Sequence, residues 1–303
     1  MRATQSRMTP GGQRVIFVHG SPCESSNWRS YLAEVPEGYE FITVDRLGFG
    51  FTTPVRSEAS LEQQAAAIRP LVESDDGRRS ILVGWSYGGP MIARAAVDFP
   101  DQIAGLIIVA GALDPELEKV KWYQRLGCVW PITRFLRDSW RIANEELIPL
   151  RGELEKMAEG LQSVTAPVHI LHGKRDQLVP FANAAYMQAA FESSVDLQLT
   201  TYEEESHFIP FSQFDDVMQA IQAMAERDRQ TAGIGLPAAI RPACAHPVSI
   251  RGYERQRHVN FCKSGCWGKY RFELPLISEL NPKRALPLRS LHLHGQALSV
   301  FGL

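Results

Sequence analysis

Gly84-Trp85-Ser86-Tyr87-Gly88 follows directly on the apolar run Ser80-Ile81-Leu82-Val83 and leads into Pro90-Met91-Ile92-Ala93-Arg94-Ala95-Ala96. The pattern predicts a strand, a tight turn and a proline-initiated amphipathic helix. Such a turn holds its serine in a strained backbone conformation, with the flanking glycines accommodating the reversal, and pushes the hydroxyl up out of the sheet. Ser86 is therefore placed to attack. Glycine and serine are common, so the pentapeptide alone says little; the strand before it and the helix after it carry the reading.

A serine hydroxyl is a poor nucleophile near neutral pH and needs a base, which in turn needs a group to orient it. Both stand downstream. The strand pattern Val168-His169-Ile170-Leu171-His172-Gly173 is followed by Lys174-Arg175-Asp176, which puts Asp176 in a loop just past a strand end. The alternating Leu197-Gln198-Leu199-Thr200-Thr201-Tyr202 is followed by Glu203-Glu204-Glu205-Ser206-His207-Phe208, which puts His207 in a similar place.

The order Ser, Asp, His along the chain is that of the α/β-hydrolases. Residues 13 to about 227 resemble a compact, cap-bearing member of that superfamily on four blocks: Phe17-Val18-His19-Gly20-Ser21-Pro22, Asp45-Arg46-Leu47-Gly48-Phe49-Gly50, the Ser86 turn, and the Asp176 and His207 loops. The resemblance implies a doubly wound, mostly parallel α/β sheet of eight strands with helices on both faces. The first two strands look vestigial, since little chain precedes the strand at Val15. It also implies an oxyanion hole made by the backbone N–H groups of Ser21 and Tyr87; Pro22, next in line, has no N–H to give.

Other residues compete for these roles. His19 sits in the turn after a strand, where bonding to the loop backbone is the simpler role, and His169 and His172 read as sheet residues. Asp45 rivals Asp176, but the resemblance makes Asp45-Arg46-Leu47-Gly48-Phe49-Gly50 a structural turn. The Glu203-Glu204-Glu205 run reads as a solvated loop.

Between the strand pattern at Gly105-Leu106-Ile107-Ile108-Val109-Ala110 and the strand at Pro167, the chain does not read as a single helix. Leu117 to Leu126 and Trp130 to Ile142 carry aromatics at roughly helical spacing, and Glu145 to Leu161 follows as a polar helix pattern. This insertion, at about 112–165, is expected to form a cap over the nucleophile, lining a pocket and excluding water. Trp122 is a candidate pocket residue there. Trp85 beside the nucleophile and Phe208 beside the base are expected pocket walls.

With 45% hydrophobic residues over 303 positions, the chain has enough apolar side chains for a real core. No apolar stretch approaches the ~20 residues needed to cross a bilayer, no secretory leader is legible at Met1-Arg2-Ala3-Thr4-Gln5, and five cysteines do not suggest a disulfide framework. These features point to a cytoplasmic enzyme without membrane or nucleic-acid partners, needing no cofactor or metal and acting on a small molecule.

The chain changes character after about Arg227. Residues 228–303 carry 11 Lys and Arg against 4 Asp and Glu, a net +7, whereas residues 1–227 carry 21 against 30, a net −9. Prolines interrupt this segment and no period of 3.6 or 2 is sustained. Cys244, His246, His258, Cys262 and Cys266 are suitable zinc ligands, but their spacings are loose. A basic, aromatic-bearing tail contacting nucleic acid or an acidic surface is a second reading. The preferred one is an irregular extension, disordered or poorly packed, such as an out-of-frame translation of the gene's end would produce.

Two function classes follow for residues 1–227. One is a serine hydrolase cleaving a small carboxylic ester through an acyl-enzyme; thioester, amide, C–C bond and haloperoxidase-type chemistry are alternatives on the same triad. The other is a hydrolase-like protein that keeps the fold and only binds a ligand. A serine at the turn, where haloalkane dehalogenases and epoxide hydrolases have an aspartate, argues against those two reactions.

Overall fold

A computed structural model describes residues 1–5, 11–73, 77–120, 124 and 137–231 of the chain. Seven strands form one sheet: β1 (Arg2–Gln5), β2 (Gln13–Val18), β3 (Tyr39–Asp45), β4 (Ser80–Trp85), β5 (Ile103–Val109), β6 (Val168–Gly173) and β7 (Leu197–Tyr202). Their order is β1-β3-β2-β4-β5-β6-β7. Every neighbouring pair is parallel except β1 with β3, where Arg2 faces Asp45 and Gln5 faces Ile42. Among the described residues the sheet is thus one strand short of eight, and the chain before Val15 does contribute a strand, the antiparallel edge β1.

The central strands are continuous apolar runs because both faces of the sheet are covered. Side chains alternate between the faces. Ile16, Val18, Ile42, Val44, Leu82 and Ile108 point to one side, against helices α2 (Leu61–Val72) and α3 (Gly88–Asp98). Val15, Phe17, Phe41, Ile81, Val83 and Trp85 point to the other, where they meet Trp28 and Tyr31, the latter on the short helix α1 (Arg29–Ala33), and a long closing helix (Phe214–Thr231) bearing Val217, Ile221 and Met224.

The chain leaves the sheet after β5 and returns at β6 in direct register, Leu106 beside Val168 and Val109 beside Leu171. Within this excursion lie α4 (Asp138–Leu147) and α5 (Leu150–Leu161). The single helix expected from Glu145 to Leu161 is split because Pro149 has no N–H and its ring would clash with the carbonyl one turn back. Leu150, Leu154, Met157 and Leu161 of α5 belong to the core cluster that also holds α3, so this helix is part of the layer covering the sheet. Residues 117–120 are not helical, and the rest of the helix expected from Leu117 to Leu126, including Trp122, lies outside the described residues save Gln124. Of the expected cap aromatics only Trp140 is described, and it is half-buried.

Two further helices, α6 (Ala182–Ala190) and α7 (Ile209–Ser212), follow the loops after β6 and β7. The closing helix, α8, continues past the boundary expected at Arg227 and runs to Thr231, the last described residue. The Cys and His residues considered as zinc ligands lie outside the described residues. None of the described helices is long and apolar enough to cross a membrane.

Candidate active site

The turn after β4 has the expected shape, with the strain in one place. Ser86 itself adopts φ 56°, a left-handed conformation costing a β-carbon-bearing residue roughly 1–2 kcal/mol. The glycines on either side serve by lacking a side chain: a Cβ on Gly84 would strike the carbonyl of Gly88, and one on Gly88 would strike the carbonyl of Val18. The Ser86 N–H is tied to Val109 O at 3.0 Å, and Ser86 O accepts from Gly89 N–H at 2.9 Å. From Ser80 to Ala93, Ser86 is the one residue that is not buried. Pro90 falls at the third position of α3 rather than the first, still within the turn whose N–H groups have no intrahelical partner.

Asp176 and His207 meet because the loops after β6 and β7 are laced together. Lys174 N–H donates to Tyr202 O at 2.8 Å and Arg175 N–H to Glu205 O at 3.0 Å. His207 Nδ1 then lies 2.7 Å from Asp176 Oδ2. The other carboxylate oxygen, Oδ1, accepts the backbone N–H groups of Leu178 at 2.9 Å and Val179 at 2.8 Å. The carboxylate is thus clamped on one side and offers its free oxygen to the imidazole, which fixes the donor at Nδ1 and leaves Nε2 as the acceptor. Asp176 is 7% exposed and His207 4%.

His172, the last buried histidine of β6, stands behind this pair. Its Nε2 donates to Val179 O at 3.0 Å and lies 3.7 Å from Asp176 Oδ2. Burial lowers its pKa, so it supports the loop as a neutral ring. Trp85 is 1% exposed; its indole N–H donates to His207 O at 2.9 Å, and its ring lies 5.5 Å from His207 and 5.1 Å from Phe211. What the structure gives Trp85 is a supporting place in the core under the histidine loop. Phe208, half-buried, has its ring 5.8 Å from that of His207.

The segment after β2 lies against the nucleophile. A Cβ on Gly20 would come within 2.8 Å of Ser86 Cβ and 3.4 Å of its Oγ, so only glycine allows this approach. The peptide joining Gly20 to Ser21 therefore runs beside the serine. His19 is occupied by the backbone: Nδ1 donates to Gly20 O at 2.6 Å and Nε2 accepts Arg46 N–H at 3.1 Å. Burial, helped by the charge of Arg46, pushes its pKa well below the usual histidine value. Asp45 is likewise taken up by backbone, accepting Phe51 N–H of its own turn at 3.0 Å and Ser25 N–H of the segment after β2 at 2.8 Å.

Two residues at this site were not legible from sequence. Arg46, fully buried, forms a two-pronged pair with Glu146 of α4 at 2.7 and 2.8 Å. Burial opposes the guanidinium charge, but the Glu146 carboxylate outweighs it and holds the pKa above the ordinary arginine value.

Residues 15–220 match the model of a family described as the alpha/beta hydrolase family. The chain belongs to it. This hydrolase is 24% identical over 240 residues to a pimeloyl-[acyl-carrier protein] methyl ester esterase of Aliivibrio salmonicida, covering 68% of the chain and 88% of the relative. It is 26% identical over 241 residues to a non-heme chloroperoxidase of Burkholderia pyrrocinia, covering 64% and 85%. Among solved structures, a monoacylglycerol lipase of Paleococcus ferrophilus superposes with a TM-score of 0.59 at 18% identity, covering 74% of the hydrolase and 98% of that chain. At that identity the superposition speaks for the fold of the hydrolase alone.

Proposed function

We propose that the chain is a serine hydrolase that cleaves a small carboxylic ester, with Ser86 as nucleophile, His207 as general base and acid, and Asp176 as the group that orients His207. The observation that carries this reading is the Asp176–His207 contact at 2.7 Å with the opposite carboxylate oxygen held by two backbone N–H groups, in a loop that Trp85, the neighbour of a serine at φ 56°, ties to the serine turn.

In the acylation step Ser86 Oγ attacks the ester carbonyl carbon and His207 Nε2 takes the hydroxyl proton, while the carbonyl oxygen becomes an oxyanion facing the N–H groups of Ser21 and Tyr87. Asp176 stabilises the imidazolium without itself taking the proton. Collapse of the intermediate breaks the bond to the alkoxy group, which leaves as the alcohol with the proton from His207. Water then attacks the acyl-enzyme by the same sequence, and the acid departs from Ser86.

The methyl ester esterase among the relatives supports ester chemistry. The chloroperoxidase supports a second reading, haloperoxidase-type chemistry on the same triad. The test is a panel of p-nitrophenyl esters of graded acyl length together with labelling by a fluorophosphonate probe. Turnover of at least the short esters, with label on Ser86 and none on Ser86→Ala, is expected. Folded protein that neither turns over nor takes the label would instead favour a ligand-binding role.

A further inference from the structure

The Gly20–Ser21 peptide carries the N–H proposed above as an oxyanion donor, and its carbonyl oxygen accepts three hydrogen bonds: from His19 Nδ1 at 2.6 Å, Cys23 N–H at 3.2 Å and an Arg46 guanidinium nitrogen at 3.2 Å. This peptide is trans. In a trans peptide the N–H points away from the C=O, so fixing the carbonyl fixes the direction of the Ser21 N–H. Donation from a charged group also polarises the amide and strengthens its N–H as a donor.

The same guanidinium donates through Nε to His19 O at 3.1 Å, and its carbon lies 4.3 Å from the centroid of the Tyr87 ring and 4.5 Å from that of Phe49. Tyr87 carries the second proposed donor. One buried side chain therefore contacts the carbonyl of the peptide that carries one proposed donor and the ring of the residue that carries the other. Its own place is set by Glu146 of α4, which seats Ile142 and Ala143 against Phe49.

We infer that Arg46 is a positioning residue for the oxyanion hole and that Glu146 makes its placement depend on the seating of α4. The inference rests on the esterase reading. A buried ion pair with a merely structural role can be replaced by apolar side chains of similar volume with little loss. A positioning role cannot be restored in that way.

The experiment compares wild type with the double variant Arg46→Met/Glu146→Leu and the single variant Arg46→Lys, using p-nitrophenyl butyrate turnover and inhibition by an alkyl trifluoromethyl ketone, which adds to the serine as an oxyanion adduct. Loss of a whole oxyanion donor costs roughly 10²–10³ in turnover; a donor that is loosened rather than lost is expected to cost about 10–100-fold. Thus the folded double variant should show kcat down by that factor, KM within about 3-fold, and the ketone Ki raised in proportion to the loss in kcat/KM. Arg46→Lys, keeping the charge but not the fork, should fall between. Should the double variant not fold, Glu146→Gln, which retains one acceptor for the guanidinium, carries the same readout.

A folded variant with wild-type kcat and Ki, beside a wild-type chain that hydrolyses the ester and is labelled at Ser86, overturns this inference alone. A wild-type chain that does neither overturns the esterase reading and this inference with it.

Discussion

The indole N–H of Trp85 donates to the backbone carbonyl of His207 at 2.9 Å, tying the residue before the proposed nucleophile to the proposed base across the core. The bond runs from the last residue of β4 to the loop after β7. It holds the histidine loop at a fixed distance from the serine turn.

Trp85→Phe keeps most of the ring packing and removes only this donor. A buried carbonyl left without its partner costs about 1–3 kcal/mol, so the variant should unfold at a lower temperature. Its kcat should fall several-fold with KM little changed, because His207 loses a restraint. Unchanged turnover in a measurably destabilised variant would show that the bond is structural only.

Ser86→Ala, His207→Ala and Asp176→Asn should each lower turnover by on the order of 10³ or more, and combinations should add little, since the three act as a unit. Asp45→Asn should behave differently. Its carboxylate accepts one backbone N–H from its own turn and one from the segment after β2, so the expected effect is reduced stability with kcat/KM within a few-fold. Steady-state kinetics on the four folded variants separates the two aspartates, and the reverse pattern would reassign the acid.

Stability should fall as the pH is lowered from about 6.5. His19 and His172 are fully buried and their pKa values are lowered by burial, so the native rings stay neutral where the unfolded ones, near ~6.5, begin to take up protons. Above that pH neither state binds the protons and the contribution is complete; below it the unfolded state gains up to ~1.4 kcal/mol per pH unit for each ring, until the depressed native value is reached. Melting temperatures between pH 5 and 8 should show this slope, and His172→Gln should reduce it by about one proton. An identical slope in that variant would contradict the assignment.

Truncation after Thr231 should leave kcat/KM within a few-fold and insensitive to EDTA, because the seven described strands, both laced loops and α8 as described all lie before that cut. Truncation after Arg227 is a harsher cut. It removes Asp228, paired with Arg79, and Arg229, whose guanidinium lies 6.0 Å from the ring centroid of Tyr39. Partly exposed pairs contribute about 0–1 kcal/mol, so the shorter chain should melt a few degrees lower at similar activity. Loss of activity in the longer truncation would give residues 232–303 a role in catalysis.

The parts of the site that sequence made legible are those written in local patterns. Apolar runs ending in short polar loops located Ser86, Asp176 and His207, because a parallel sheet brings successive strand ends to one edge. The Arg46–Glu146 pair spans 100 positions, and no local period announces which of many charged residues will be buried together. Trp85 was readable in principle: along β4 it shares a face with Ile81 and Val83, and the period of two places it in the core whatever its neighbour does. Pro149 likewise marked the break in the helix pattern, and the end of α8 lay further on because the apolar face of Val217, Ile221 and Met224 anchors a helix whose last turn is polar.

The register between β5 and β6 has a bearing on how relatives of this chain diverge. Leu106 to Val109 pair with Val168 to Leu171 whatever the intervening chain does, so the two ends of the excursion are fixed points on a rigid frame. The entropy of closing such a loop grows only logarithmically, about 0.6 kcal/mol for each doubling of its length. Chain can be inserted ahead of α5, which covers the sheet, at little thermodynamic penalty, and substrate range can therefore change by insertion there while the strand ends that carry the proposed chemistry keep their spacing.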